Sequence, residues 1–377
     1  MRKWAAVLLM AALAMQLTGC YDAVDLGDQI FAINLALDKG ETKALRLTMQ
    51  YTQITPVGKE GADSGGGNSD LKKDGYLIEQ VEGDDLSACL TLMRMVTPRK
   101  MDLMQLRGIF ISETLANSRV TVQECLSALL STHNARPTAT VFLTRGRAED
   151  VLSAQVPLFG ARLSKSQSAQ SSQLQEQGVI TASPLNTFYY CFATPGCSAV
   201  AVLTAVNGMQ YISAPSSQGT QATSYLAGDV PRNTVGTTDY CGCAVFGDED
   251  LMFLDGYETQ LLNLMLGKLR ELNMEIGGRT VSLYFPRAPR IKVKPLDPDG
   301  PRIAIRVPVL CDVPDAAPYT QRLIDDLATL LLKLQQRKMD PVDFAQRARV
   351  SALTLEDWGA MDWPALYARA VFDISIA

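Results

Sequence analysis

Histidine is almost absent: His133 is the only one in 377 residues. A metal centre built on several imidazoles is therefore excluded, and a Ser-His-Asp triad could draw on this residue alone. Positive charge is not in excess either. The formal net charge is -5, so the basic face that a duplex-binding protein presents is missing and nucleic acid is not an expected partner. Phosphate-binding spacings are lacking too. The three consecutive glycines of "GKEGADSGGGNSDLKKDG" (58–75) have neither G-x-x-x-x-G-K-[ST] nor G-x-G-x-x-G around them. "GCSAV" at Gly196 lacks the second glycine of a nucleophile elbow, so Ser198 is no candidate nucleophile. Acidic pairs such as Asp84/Asp85 and Asp325/Asp326 fall where caps or solvated helix faces are expected. No catalytic constellation emerges; the expectation is a non-enzyme without metal or cofactor.

What is present begins at the N-terminus. "MRKWAAVLLMAALAMQLTGC" places Arg2 and Lys3 before an apolar core from Trp4 to Leu17, then small residues, the plan of a secretory signal peptide. The core falls short of the roughly 20 residues a membrane-spanning helix needs, and no later segment matches its apolarity. The ending is L-T-G-C rather than A-x-A, and it looks like a bacterial lipoprotein box. Thr18 and Gly19 let an enzyme reach the thiol, and Cys20 is the expected lipid attachment site. Its diacylglyceryl group supplies about 0.8 kcal/mol per buried CH₂, from two chains where one anchors only marginally.

Hydrophobic residues make up 47% and charged residues 20%, the balance of a globular protein. Alternation predicts a hairpin around Asp38-Lys39-Gly40, with Ile33, Leu35 and Leu37 on one side and Leu45, Leu47, Met49 and Tyr51 on the return. The Gly-rich 58–75 stretch reads as an exposed loop. A helix is expected from Asp84 or Asp85 to Pro98, a strand at "LRGIFIS" with Ser112 capping a short turn, and an amphipathic helix through Val122, Cys125, Leu126, Leu129 and Leu130. "PTATVFLTRG" reads as a strand and "RAEDVLSA" as a helix. The Ser/Gln-rich "SKSQSAQSSQLQEQG" reads as loop or weak helix, and "YYCFATPGCSAVAVLTAV" as apolar alternation around a turn. A hairpin across "GDED", an amphipathic helix "YETQLLNLMLGKLRE", three strand-like runs, a long helix with Leu323, Leu327, Leu330, Leu331 and Leu334 inward, and the final strand "AVFDISIA" follow. This order suggests α/β or α+β; the expected architecture is α+β, two to three small domains, each a mixed or antiparallel sheet flanked by helices. The divisions are 1–19 signal peptide, 20–160 N-terminal domain, 161–240 divergent connecting region and 241–377 C-terminal domain.

Seven cysteines follow Cys20, an odd number. Cys191 and Cys197 flank "FATPG" and could close a short disulfide across a turn, which an exported location permits; buried free thiols are the ordinary alternative. Cys241 and Cys243 form C-x-C without the second pair that a zinc site requires.

The ordered set "GCYDAVDLGD", "LALDKG", "TPRKMDLMQLRGIFISETLAN", "GCAVFGDEDLMFLDGYETQLLNLMLGKL" and "MDPVDFAQRAR…DWPALYARAVFDISI" resembles the Ger(x)C family, the C-subunit lipoproteins of spore germinant receptors. The resemblance runs over nearly the whole chain in family order. Ala23 stands where the family has a basic residue, Cys243 where it has Thr, and "VDFAQRA" replaces a Gly-Phe-Gly-like segment. The resemblance implies an α+β protein on the outer face of the inner spore membrane. It would work there with transmembrane A and B subunits, in an assembly that responds to nutrients by releasing ions from the core. A solute-binding lipoprotein of a transporter, with two α/β lobes around a cleft, is the rival expectation; an exported hydrolase would need catalytic residues that are not evident.

Overall fold

The computed structural model describes residues 3–5, 26–52, 72–73, 76–131, 135–155, 163–208, 221–232, 237–248, 250–295, 300–350, 354, 356, 358 and 361–377. Cys20, His133 and most of the Gly-rich stretch lie outside these residues.

The first two thirds of the chain build one large sheet. In chain order the elements are β1 (Gln29–Lys39), β2 (Leu45–Thr52), β3 (Lys72–Lys73), β4 (Tyr76–Gly83), α1 (Leu86–Val96), β5 (Lys100–Asp102), β6 (Gly108–Ser112), α2 (Glu113–Ala116), α3 (Arg119–Ser131), β7 (Thr140–Arg145), α4 (Ala148–Ala154), α5 (Leu163–Glu176), α6 (Leu185–Ala193), β8 (Ala199–Val206), β9 (Thr238–Phe246) and β10 (Leu251–Leu254). Ten strands form the sheet in the order β10-β9-β8-β7-β6-β1-β2-β4-β3, with β5 beside β1. The middle, β1-β6-β7-β8, is parallel, and each edge is finished by antiparallel pairs.

Parallel strands are covered on both faces, which is why "GIFIS" is buried at every position. One face packs against α1, α3 and α6 through residues such as Leu35, Leu126 and Phe188. The other packs Phe110, Phe142, Val202 and Tyr240 against Val151 and Leu152 of α4. Phe110 and Phe142 stack with ring centroids 4.5 Å apart.

The remainder is smaller in scale. α7 (Gly256–Met265) is followed by β11 (Glu271–Ile276), β12 (Arg279–Tyr284), β13 (Arg290–Lys294), β14 (Arg302–Val307), β15 (Leu310–Cys311), α8 (Ala317–Gln336), α9 (Phe344–Arg349), α10 (Trp363–Tyr367) and β16 (Val371–Ile376). Two three-stranded sheets result, β11-β12-β15 and β13-β14-β16. The α8 stripe of Leu323, Leu327, Leu330, Leu331 and Leu334 is buried as its spacing predicts. The molecule is α+β, with mixed and antiparallel sheets flanked by helices.

Several local expectations change on folding. β1 runs through Lys39 and the chain reverses over Gly40–Ala44 rather than at Asp38-Lys39-Gly40, and both faces of β1 are buried. "FYYCFA" is helical in α6, not alternating strand, because Phe188 and Phe192, four residues apart, pack against Phe246. The Ser/Gln-rich segment takes the helical alternative as α5. α7 is buried on almost every side rather than amphipathic, since it fills the space between the large sheet and α8. Residues 199–206 form an interior strand of the large sheet, which β9 and β10 then complete.

Asp38 shows how sequence-distant segments are joined. The first residues of α4 have no side-chain cap of their own. Asp38, at the end of β1 and 3% exposed, accepts the Ala148 N–H at 2.8 Å and the Glu149 N–H at 3.0 Å. A carboxylate on orphan amide hydrogens at a helix start is favourable, although burial pushes the Asp38 carboxyl above its ordinary range. Asp38→Ala is expected to cost about 2 kcal/mol of unfolding free energy. Urea denaturation checks this; a change under about 0.5 kcal/mol would mean α4 does not need the cap.

Candidate functional site

The residues singled out by sequence separate in space. Cys20 and His133 lie outside the described residues. Cys89 and Cys125 are buried in the large core. Cys243, fully buried, accepts a hydrogen bond from the Thr259 hydroxyl at 3.3 Å. Cys241 donates to the Tyr225 carbonyl at 3.2 Å. Both thiols therefore abut the start of α7. Asp85 caps α1 by accepting the Ala88 N–H at 2.7 Å, and Asp326 accepts from the Tyr257 hydroxyl at 2.7 Å. Among the described residues no three His, Cys, Asp or Glu side chains gather as a metal would require.

Cys191 and Cys197 are brought together. α6 ends at Ala193, a turn closes with the Cys197 N–H on the Thr194 carbonyl (3.2 Å), and Gly196 takes a φ of 81° that glycine allows at little cost. Both are free thiols, close enough to one another for each to shift the other's ionisation. The neighbouring thiol draws Cys191 down, whereas it and burial push Cys197 up.

This turn sits at the seam between the large sheet and the C-terminal elements. There the Ser198 hydroxyl accepts the Asp340 N–H at 2.9 Å, and its own N–H donates to the Asp340 carbonyl at 3.1 Å. The Asp340 carboxylate, 1% exposed, accepts from the N–H groups of Phe344 (3.0 Å) and Ala345 (2.8 Å) and from Trp363 Nε1 (3.2 Å). Burial outweighs these donors and raises its pKa to about 7.

A second constellation, absent from the sequence-derived candidates, lies on the α4/α5 face of the sheet. Asn34 on β1 is 0% exposed and its side-chain amide donates to the carbonyl oxygens of Gln50 (2.7 Å), Gln155 (3.2 Å) and Gln167 (3.2 Å). Gln155 in turn donates to the Tyr240 hydroxyl at 3.0 Å. Gly108 leaves the room: a Cβ there would lie 2.8 Å from Asn34 Oδ1. Beside this amide layer is a cavity of about 110 Å³ bounded by α5 and by Arg232, Thr238 and Tyr240. One signal was available in "FAINLALDK": Asn34 and Asp38 stand four apart on one strand face, where apolar residues are the norm.

Residues 22–205 match the model of the spore germination protein N-terminal domain. A curated relative, the putative spore germination protein YfkR of Bacillus subtilis (strain 168), is 26% identical over 151 residues, 40% of this chain. The match spans 38% of that relative's length. The crystal structure of the GerBC protein superposes with a TM-score of 0.50 at 17% identity, covering 91% of this chain and 95% of that one. That likeness establishes the fold. Residues 22–205 are thus a spore germination protein N-terminal domain, in keeping with the Ger(x)C-like motifs that run along the chain.

Proposed function

We propose that this chain is the C subunit of a nutrient germinant receptor, a non-enzymatic lipoprotein held through a diacylglyceryl group on Cys20 at the outer face of the inner spore membrane. Transmembrane A and B subunits are its partners. The observation that carries this reading is the N-terminal family domain over residues 22–205, placed directly behind the lipoprotein box. No helix among the described residues is long and apolar enough to cross a membrane, which favours a lipid anchor. Two acyl chains would keep the folded domains at high effective concentration beside the partner subunits, whose conformational equilibrium they bias. The transporter-lipoprotein alternative is less well supported, because the ten-stranded sheet runs from residue 29 to 254 as one unit instead of two lobes about a cleft.

Replacing Cys20 by Ala tests the proposal. The variant is expected in the soluble fraction, and spores carrying it should fail to germinate on nutrients while still responding to a non-nutrient trigger. Normal nutrient germination with a released protein would reject the role of the anchor. Export also makes a Cys191–Cys197 disulfide feasible: both thiols would lose their hydrogens by exchange with a disulfide-bearing oxidoreductase. Thiol trapping of protein taken from spores checks it, with free thiols at both positions as the contrary result.

A further inference from the structure

The cavity beside the amide layer is polar in a way that packing alone does not explain. Two buried polar atoms that line it have no hydrogen-bond partner among the described residues: Thr238 Oγ1 and Arg232 Nε. Native interiors satisfy nearly all such groups, so two at one cavity indicate a guest. Gln155, Gln167 and Tyr240 line the cavity as well. Those last three are each more than nine-tenths buried.

The chemistry of the lining selects the guest. One terminal nitrogen of Arg232 sits 2.5 Å from Asp239 Oδ1, so that edge of the guanidinium is already neutralised. The Nε–H remains. Tyr240 receives the Gln155 amide on its oxygen and therefore has its own proton to give. Burial pushes that phenol well above its usual range, so it stays a donor at any physiological pH. Thr238 offers a third O–H. The carbonyl of Gln167 is already taken by Asn34. Arg232, Thr238 and Tyr240 thus turn three donors to the cavity, beside the Ser166, Gln170 and Thr237 side chains of the same lining, and together those three suit a ligand that accepts. A planar carboxylate, with two oxygens for one N–H and neighbouring O–H groups, fits this set better than a polyol, which must also donate. A water occupies about 10–15 Å³ on the same measure, so about 110 Å³ admits a solute of several heavy atoms and no more.

We infer that this cavity is a binding site for a small carboxylate-bearing solute, its oxygens held by Arg232 Nε, the Thr238 hydroxyl and the Tyr240 hydroxyl. The inference goes beyond the receptor-subunit reading and does not depend on it, because the test reads binding to the isolated protein.

The full-length chain in detergent is titrated calorimetrically with sodium lactate, with sodium chloride as the ionic control and glycerol as the neutral one. Saturable lactate binding is expected, with no saturation by either control. Thr238→Val keeps the shape but removes the hydroxyl, and Arg232→Lys keeps the charge beside Asp239 but removes the Nε–H. Each should weaken lactate about tenfold. Circular dichroism confirms that the variants fold; if Arg232→Lys does not, Thr238→Val carries the comparison. Absence of lactate saturation, saturation by glycerol, or unchanged affinity in the folded variants would each overturn the assignment.

Discussion

Asp340→Ala is expected to remove roughly 3–5 kcal/mol of unfolding free energy. The carboxylate is the common acceptor for the Phe344 and Ala345 N–H groups and for Trp363 Nε1. Its removal strands three buried donors, and each stranded donor costs on the order of 1–3 kcal/mol. Urea denaturation monitored by tryptophan fluorescence reports the loss, and Trp363 reports directly on the site. A variant within about 1 kcal/mol of the parent would show that the seam tolerates unpaired donors and would sink this account.

The same residue sets a pH dependence. Burial raises the folded-state pKa of Asp340 to about 7, while the unfolded carboxyl titrates near its ordinary ~3.9. Between those values the native state holds a proton that the unfolded state has released. Stability therefore falls as pH rises from about 4 to about 7 and is flat, for this group, outside that window. Asp340→Asn abolishes the titration, so its unfolding free energy should lose this component of the slope. A variant that keeps the parental slope would move the titration to another group.

Gly242→Ala is the second large effect, expected to cost ~3 kcal/mol or more. β9 carries an extra residue at this point, since Cys243 pairs with Val202 but Tyr240 pairs with Thr204. Gly242 absorbs the bulge at φ 88°. A Cβ there would lie 2.4 Å from the Leu254 carbonyl oxygen, which is backbone and cannot rotate away. Gly146 provides the control. It has a similar φ of 91° but nothing within 4 Å of the added atom, so Gly146→Ala should show only the conformational penalty of ~1–2 kcal/mol. Thermal unfolding of the two variants side by side separates strain from collision; equal losses would eliminate the collision.

The aspartates of the family-like motifs acquire a physical meaning here. Asp38 of "LALDKG" caps α4 across 110 residues of sequence. Asp255 of "LDGYE" accepts the Glu258 N–H at 2.8 Å while Glu258 returns the bond to the Asp255 N–H, closing a capping box at α7. Asp340 of "MDPVDF" holds the start of α9. The capping box is local and follows from residue spacing alone. Asp38 serves a helix 110 residues on, and Asp340 adds to its local amide partners a tryptophan 23 residues away, contacts that no short window contains.

The contrast extends to the whole molecule. Local patterns determined the strands "GIFIS" and "TVFLTR", the β9–β10 hairpin and the inward leucines of α8, because periodicity and turn chemistry act over a few residues. Only tertiary structure decided that one sheet gathers strands from residues 29 to 254, that "FYYCFA" coils against Phe246, and that Asn34 joins Gln155 and Gln167 in one amide layer beside a cavity. Those outcomes depend on burial and hydrogen-bond partners from about fifty to more than a hundred residues away, and such partners leave no periodic trace in the chain that needs them.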